Sequence, residues 1–181
     1  MTKKNHFIIK VLGTIQDGGY PHPGCHQSCC KNISFHKENA RYITSIALIN
    51  IQLKKAWLFD ITPDFNKQFH ILEEACPNIQ IEGVFITHAH IGHYLGLSNL
   101  GLEVMNQKNI SVYVMPLMKE FLLNNNPYKF LIQSQNICLH DLEENLEVCL
   151  SEQILIKPFL VPHRNELSET VGYQIKSGLI S

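Results

Sequence analysis

Three histidines fall within six residues in the stretch Thr87-His88-Ala89-His90-Ile91-Gly92-His93. The apolar run Val84-Phe85-Ile86 precedes them, so the cluster stands where a strand buried on both faces ends. In extended backbone, residues two apart point the same way. His88 and His90 therefore present imidazoles to one point, and a turn at Gly92 brings His93 to a neighbouring one. Imidazole suits Zn and Fe, and three protein ligands with one open position form the catalytic arrangement of such metals. Far downstream, Val161-Pro162-His163-Arg164 again sets a histidine at the end of an apolar strand, and His163 is the natural third ligand beside His88 and His90.

Other residues carry weaker signals. Cys25, Cys29 and Cys30 crowd into one loop with His22 and His26 nearby. With no signal-peptide core at the N-terminus, clustered thiols read as metal ligands before disulfides, and a structural Zn is the expectation. Cys76, Cys138 and Cys149 are scattered and read as small buried hydrophobes. Asp60 ends a strand beside the histidine loop, where its carboxylate can accept the spare N–H of a ligating imidazole and fix its tautomer. Asp64 reads as an acid at the positive end of a helix. Asp17-Gly18-Gly19 also matches a phosphate-binding turn, although no helix follows it.

These side chains need a scaffold. Strand-like runs cover Phe7–Leu12, Ser45–Ile51 and Lys55–Phe59, the last two forming a hairpin around Gln52–Lys54. Thr62-Pro63-Asp64 opens a helix whose apolar face is Phe65, Phe69, Leu72 and Cys76, and Pro77 stops it. A strand over Ile81–Thr87, a helix from about Tyr94 to Met105, a strand over Ser111–Met115 and a short helix over Leu117–Leu123 follow. A polar loop near Asn124–Tyr128 separates these from strands around Glu147–Leu150, Ile154–Val161 and Val171–Ile175. Hairpins mixed with strand–helix–strand units imply mixed sheets with helices packed on them, an α/β domain. Ile15–Thr44 has no periodic element, and a loop that long in a compact domain is functional or tied down by something such as a metal.

The 181 residues make one domain, and 45% hydrophobic content supplies a core. Fifteen basic residues meet sixteen acidic ones, for a net charge of -1, which gives no electrostatic case for binding nucleic acid or an anionic membrane. The reading is of a cytoplasmic protein with a small-molecule substrate, able to form a homo-oligomer.

The pattern resembles the metallo-β-lactamase superfamily, whose signature is His-x-His-x-Asp-His after a strand, and within it the branch of pyrroloquinoline quinone biosynthesis protein B. The likeness rests on Val11-Leu12-Gly13-Thr14 with Gln16-Asp17-Gly18-Gly19 and Pro21, on Gly24-Cys25 with Cys29-Cys30, and on Trp57-Leu58-Phe59-Asp60 with Pro63-Asp64 and Gln68. It extends through Thr87–Leu97 and through Val161-Pro162-His163-Arg164 with Glu166, Ser168 and Thr170. The resemblance implies an αββα sandwich, present here as its N-terminal portion. It implies His88, His90 and His163 in a first metal site and His93 in a second. The signature Asp is Gly92 here, which has no donor atom, so the second site loses a main ligand. The resemblance also implies a metal-dependent hydrolase. It would act on an ester, amide, thioester or phosphodiester bond, using Zn, or else Fe, to lower the pKa of a water ligand. His93 and Asp60 are the catalytic candidates. The alternatives are an iron-dependent oxidative enzyme of quinone-cofactor biosynthesis and a degenerate, non-catalytic fragment.

Overall fold

The structure is a computed structural model that describes residues 6–31, 33 and 41–178. Its elements in chain order are β1 (Phe7–Gly13), α1 (Ser28–Lys31), β2 (Ser45–Asn50), β3 (Lys55–Phe59), α2 (Phe65–Ala75) and β4 (Gln80–Phe85). Then come α3 (Ile91–Tyr94), a 3-10 segment over Leu95–Leu100, β5 (Ile110–Val114), α4 (Pro116–Asn124), α5 (Asn126–Gln133) and β6 (Ile137–Asp141). The last three are β7 (Val148–Ser151), β8 (Ile154–Leu160) and β9 (Val171–Ser177).

Strands β1 to β6 form one sheet in sequence order. The hairpin expected from Ser45–Phe59 is present, with β1, β2 and β3 antiparallel. From β3 onward every pairing is parallel, because each connection is a helical crossover. Strands β7 to β9 form a second, antiparallel sheet.

The period of two along each strand sorts the core into two layers. Ala56, Leu58, Val84, Val112 and Val114 face the helices and pack with Leu72, Leu97, Leu100, Met118 and Leu122. Trp57, Phe59 and Phe85 face the other way and pack with Ile154, Ile156 and Val171 of the small sheet. Phe85 stacks on Phe59 and on Tyr113, with ring centroids 5.1 and 4.2 Å apart. The C-terminal end of β4 is thus covered on both faces, which is why Val84-Phe85-Ile86 is continuously apolar. The described residues form one helical layer and two sheets, in keeping with the expected sandwich.

Four expectations need correction. The helix placed at Tyr94–Met105 begins earlier, at Ile91, and turns into a 3-10 segment at Leu95. There the backbone of Gly96 lies so close to that of Ile61 and Thr62 that only glycine fits. The loop placed at Asn124–Tyr128 contains the start of α5, with Pro127 in its first turn. Strand β6 was not anticipated, because it is a sheet edge on which only Ile137 is buried. Of the scattered cysteines, Cys76 is buried as expected, but Cys138 on edge strand β6 and Cys149 on edge strand β7 are exposed.

The described ends of the long loop are tied down by backbone bridges and by side chains of α2 and its N-cap. Ile15 bridges Ile43, and Tyr20 bridges Arg41. The buried Gln68 of α2 donates from Nε2 to Ile43 O at 2.7 Å, and Ile43 N–H donates to Asp64 Oδ2 at 3.1 Å. Helix α2 starts at Phe65, so Asp64 is its N-cap and not a first-turn residue, and its carboxylate reaches across to the loop instead of capping the helix. Among the described residues no helix is long and apolar enough to cross a membrane.

Candidate metal centre

The C-terminal end of β4 runs straight into Ile86-Thr87-His88. Two hydrogen bonds from β9 dock here: Val171 N–H donates to Thr87 O at 3.1 Å, and Tyr173 Oη donates to Ile86 O at 2.6 Å. The loop between β8 and β9 closes on itself through Val161 N–H to Thr170 O. His163 in that loop is thereby carried to the mouth of the histidine cluster. A further tie is Ala89 N–H to the buried Ser168 Oγ at 2.9 Å, which fixes the backbone between His88 and His90 against the same loop.

His88, His90 and His163 converge. Their facing nitrogens lie within 4.8 Å of one another. His88 Nε2 is 2.9 Å from His90 Nδ1, and His163 Nε2 is 3.3 Å from the same atom. Two donors bound to one Zn at ordinary lengths stand roughly 3.0–3.4 Å apart, and these two spacings, 2.9 and 3.3 Å, fall close to that range.

Hydrogen bonding on the outer side of the rings sets the tautomers. Asp60 Oδ2 accepts the single hydroxyl hydrogen of Thr87 at 2.9 Å. Thr87 Oγ1 can then only accept from His88 Nδ1–H, 2.8 Å away. That leaves a lone pair on His88 Nε2, facing inward. His90 Nε2–H likewise donates to Glu166 Oε2 at 3.2 Å, leaving the Nδ1 lone pair inward. Two lone pairs facing each other at 2.9 Å repel unless a cation lies between them. Burial, and next the charges of the neighbouring histidines, push His88 down to about 3, so it is neutral and ready to ligate.

His93 stands beside this group, its ring centroid 4.1 Å from that of His88. Both of its nitrogens face carboxylates: Nδ1 lies 2.6 Å from Asp60 Oδ2, and Nε2 lies 3.1 Å from Asp17 Oδ1. Burial opposes a charge on this ring, but the hydrogen bonds and charges of Asp60 and Asp17 outweigh it and raise the pKa. Asp60 is 5% exposed and has φ +65°, a left-handed conformation that costs a non-glycine residue on the order of 1 kcal/mol. It also accepts Thr87 N–H at 2.8 Å, so one carboxylate organises both Thr87 and His93.

Of the sequence candidates, His88, His90 and His163 come together, with His93 and Asp60 adjoining them. Cys25, Cys29 and Cys30 form a separate cluster whose sulfurs lie within 4.8 Å of one another. His22 turns its Nδ1–H onto Pro23 O, and its ring packs against Gly18. The residues that had no role in the site on sequence grounds are Thr87, Asp17, Glu166 and Ser168. Thr87 differs from an ordinary strand threonine only in preceding the first histidine. Asp17 reaches the site from the glycine-rich loop, with its acid aimed at His93 and not at a phosphate.

Residues 56–179 match a family model described as the beta-lactamase superfamily domain. A curated relative, ribonuclease Z of Gloeothece citriformis, is 28% identical over 140 residues, which are 75% of this chain and 42% of the relative. Zn(2+)-bound PqqB from Methylobacterium extorquens superposes with a TM-score of 0.74 at 19% identity, over 96% of this chain and 62% of that one. A diphosphatase from the PhnP family gives a TM-score of 0.70 at 24% identity, over 94% of this chain and 62% of that one. Human tRNase Z, short form, gives 0.58 at 20% identity, over 93% and 63%. These structural likenesses show a shared fold, and the chain spans less than two thirds of the length of each of these relatives.

Proposed function

We propose, from the premise that the chain belongs to the beta-lactamase superfamily, that it is a metal-dependent hydrolase whose ion is held by His88, His90 and His163. One observation carries the reading: the outer nitrogens of His88 and His90 are bonded to Thr87 and Glu166, so their lone pairs turn to a common point with His163. A bound Zn or Fe ion supplies Lewis acidity and lowers the pKa of a water toward about 7. The protein's own part is orientation. Asp60 and Thr87 keep His88 in the ligating tautomer, and Glu166 does the same for His90. With a single ion bound, His93, held between two carboxylates at the rim of the cluster, is the group placed to give or take a proton near the reacting atoms.

A phosphodiester is the first substrate class to try, because the curated relative is a ribonuclease. The net charge of -1 gives no overall electrostatic pull on a polynucleotide, which favours a small diester. The experiment loads purified protein with Zn or Fe, counts bound metal, and assays bis(p-nitrophenyl) phosphate, an aryl ester and a lactam in parallel. Hydrolysis of the diester that is lost on chelation and in His88→Ala is the expected result. Metal-loaded protein inert toward all three bonds would overturn the hydrolase reading. Consumption of dioxygen by the Fe form would favour the oxidative alternative.

A further inference from the structure

Resting on the metal reading of the neighbouring histidines, we infer that Asp17 supplies, from the glycine-rich loop, the carboxylate of a second cation site that it shares with His93. Position 92 itself offers no donor atom, yet the space in front of it is filled by one. A Cβ built on Gly92 would stand 2.5 Å from Asp17 Oδ1, 2.8 Å from its Cγ and 2.9 Å from its Cα. Gly92 lies within α3 and is not among the glycines at positive φ. Its glycine is therefore required by the close approach of Asp17 and not by backbone conformation. The carboxylate crosses the gap from the opposite side.

Its geometry suits an ion. Asp17 Oδ1 and His93 Nε2 are 3.1 Å apart, the edge length of two ligands on one divalent ion (roughly 3.0–3.4 Å). The other nitrogen of His93 donates to Asp60 Oδ2 at 2.6 Å, so an ion that displaces the Nε2 proton meets a ring whose remaining proton is held on Nδ1. This repeats the logic at His88 and His90. The ring of His93 adjoins that of His88, 4.1 Å between centroids, so a cation on His93 would lie beside one on His88. An imidazole with a carboxylate suits a borderline divalent ion such as Zn, Mn or Fe.

Cobalt(II) titration of the metal-free protein is the test. Thiolate-bound cobalt shows a sulfur charge-transfer absorption, so any ion in the Cys25, Cys29 and Cys30 cluster is counted apart. The expected result is two further ions per chain whose spins couple. In Asp17→Ala the second affinity falls by about tenfold or more while the first ion stays. Asp17→Asn keeps the shape and hydrogen-bonding reach of the side chain but loses its charge, and gives the same loss if the alanine variant does not fold. The exchange Asp17→Gly with Gly92→Asp moves the carboxylate across the same gap and restores the second ion. Undiminished binding of both ions in Asp17→Asn would overturn the inference. So would a single non-thiolate ion in the unaltered chain, and that outcome leaves the His88, His90 and His163 site standing. Uptake of no such ion would defeat both readings.

Discussion

Asp60 Oδ2 lies 2.6 Å from His93 Nδ1, and the same carboxylate holds the amide and the hydroxyl of Thr87. One buried acid at the end of β3 therefore sets the tautomer of His93 directly and that of His88 through Thr87. Asp60→Asn replaces one acceptor oxygen with an amide N–H, and asparagine tolerates the left-handed backbone. The expected outcome is a loss of about 10–100-fold in metal affinity. The stability loss should be about 1–3 kcal/mol, from buried donors left without an acceptor. A competition titration with a chromophoric chelator, beside a urea melt, measures both. Unchanged affinity would remove Asp60 from the site.

His88 and His93 titrate in opposite directions in the metal-free protein. Burial, then the charges of His93, His90 and His163, push His88 down to about 3. Between its unfolded value of about 6.5 and that folded value, the unfolded chain binds the extra proton, so this group destabilises the fold as pH falls. His93 is raised despite its burial, because Asp60 and Asp17 favour its charge. Its contribution is fully present below about pH 6.5 and is lost as pH rises through the folded value. Proton NMR of the imidazoles should show one histidine still neutral at about pH 4.5 and another still charged above the ordinary range. Two ordinary titrations near 6.5 would contradict the geometry.

Ser168 tests the joint between the two histidine-bearing segments. Its Oγ accepts Ala89 N–H at 2.9 Å and donates to Glu169 O at 2.9 Å. Ser168→Ala leaves a buried amide without a partner, at about 1–3 kcal/mol. It also loosens the His163 loop from the His88–His90 backbone, so metal affinity should fall with stability. A stability loss with no change in affinity would mean that the contact only supports the fold.

Thiol labelling distinguishes the cysteines. Cys138 and Cys149 are exposed and should react at once, and the buried Cys76 should stay silent in the native state. If Cys25, Cys29 and Cys30 hold a structural Zn, they should react only after a chelator is added, since coordinated thiolates are occupied. Immediate labelling of the exposed Cys29 in Zn-loaded protein would show a loop of free thiols.

What could be seen in the sequence followed from local rules. The two-residue period put His88 and His90 on one side, and the apolar run ahead of them located the strand end. His163 was legible for the same reason, as a histidine closing an apolar strand. Asp60 could be placed because the hairpin before it was clear. Asp17 could not be assigned, because its role depends on a contact across 76 positions from a loop with no periodicity. Strand β6 escaped because an edge strand with one buried residue carries little hydrophobic signal. The 3-10 segment escaped because its glycine, Gly96, answers to tertiary crowding from Ile61 and Thr62, which no local pattern encodes.

The docking of β9 on Thr87 and Ile86 has a mechanical consequence. His88 and His90 belong to the large sheet, whereas His163 hangs from the small one. Any ion bridging the three is a clasp across the seam between the sheets, and its binding energy adds to whatever the apolar layer between them supplies. Amide protons of β8 and β9 should then exchange more slowly with the clasp closed than open, although none of them touches the ion.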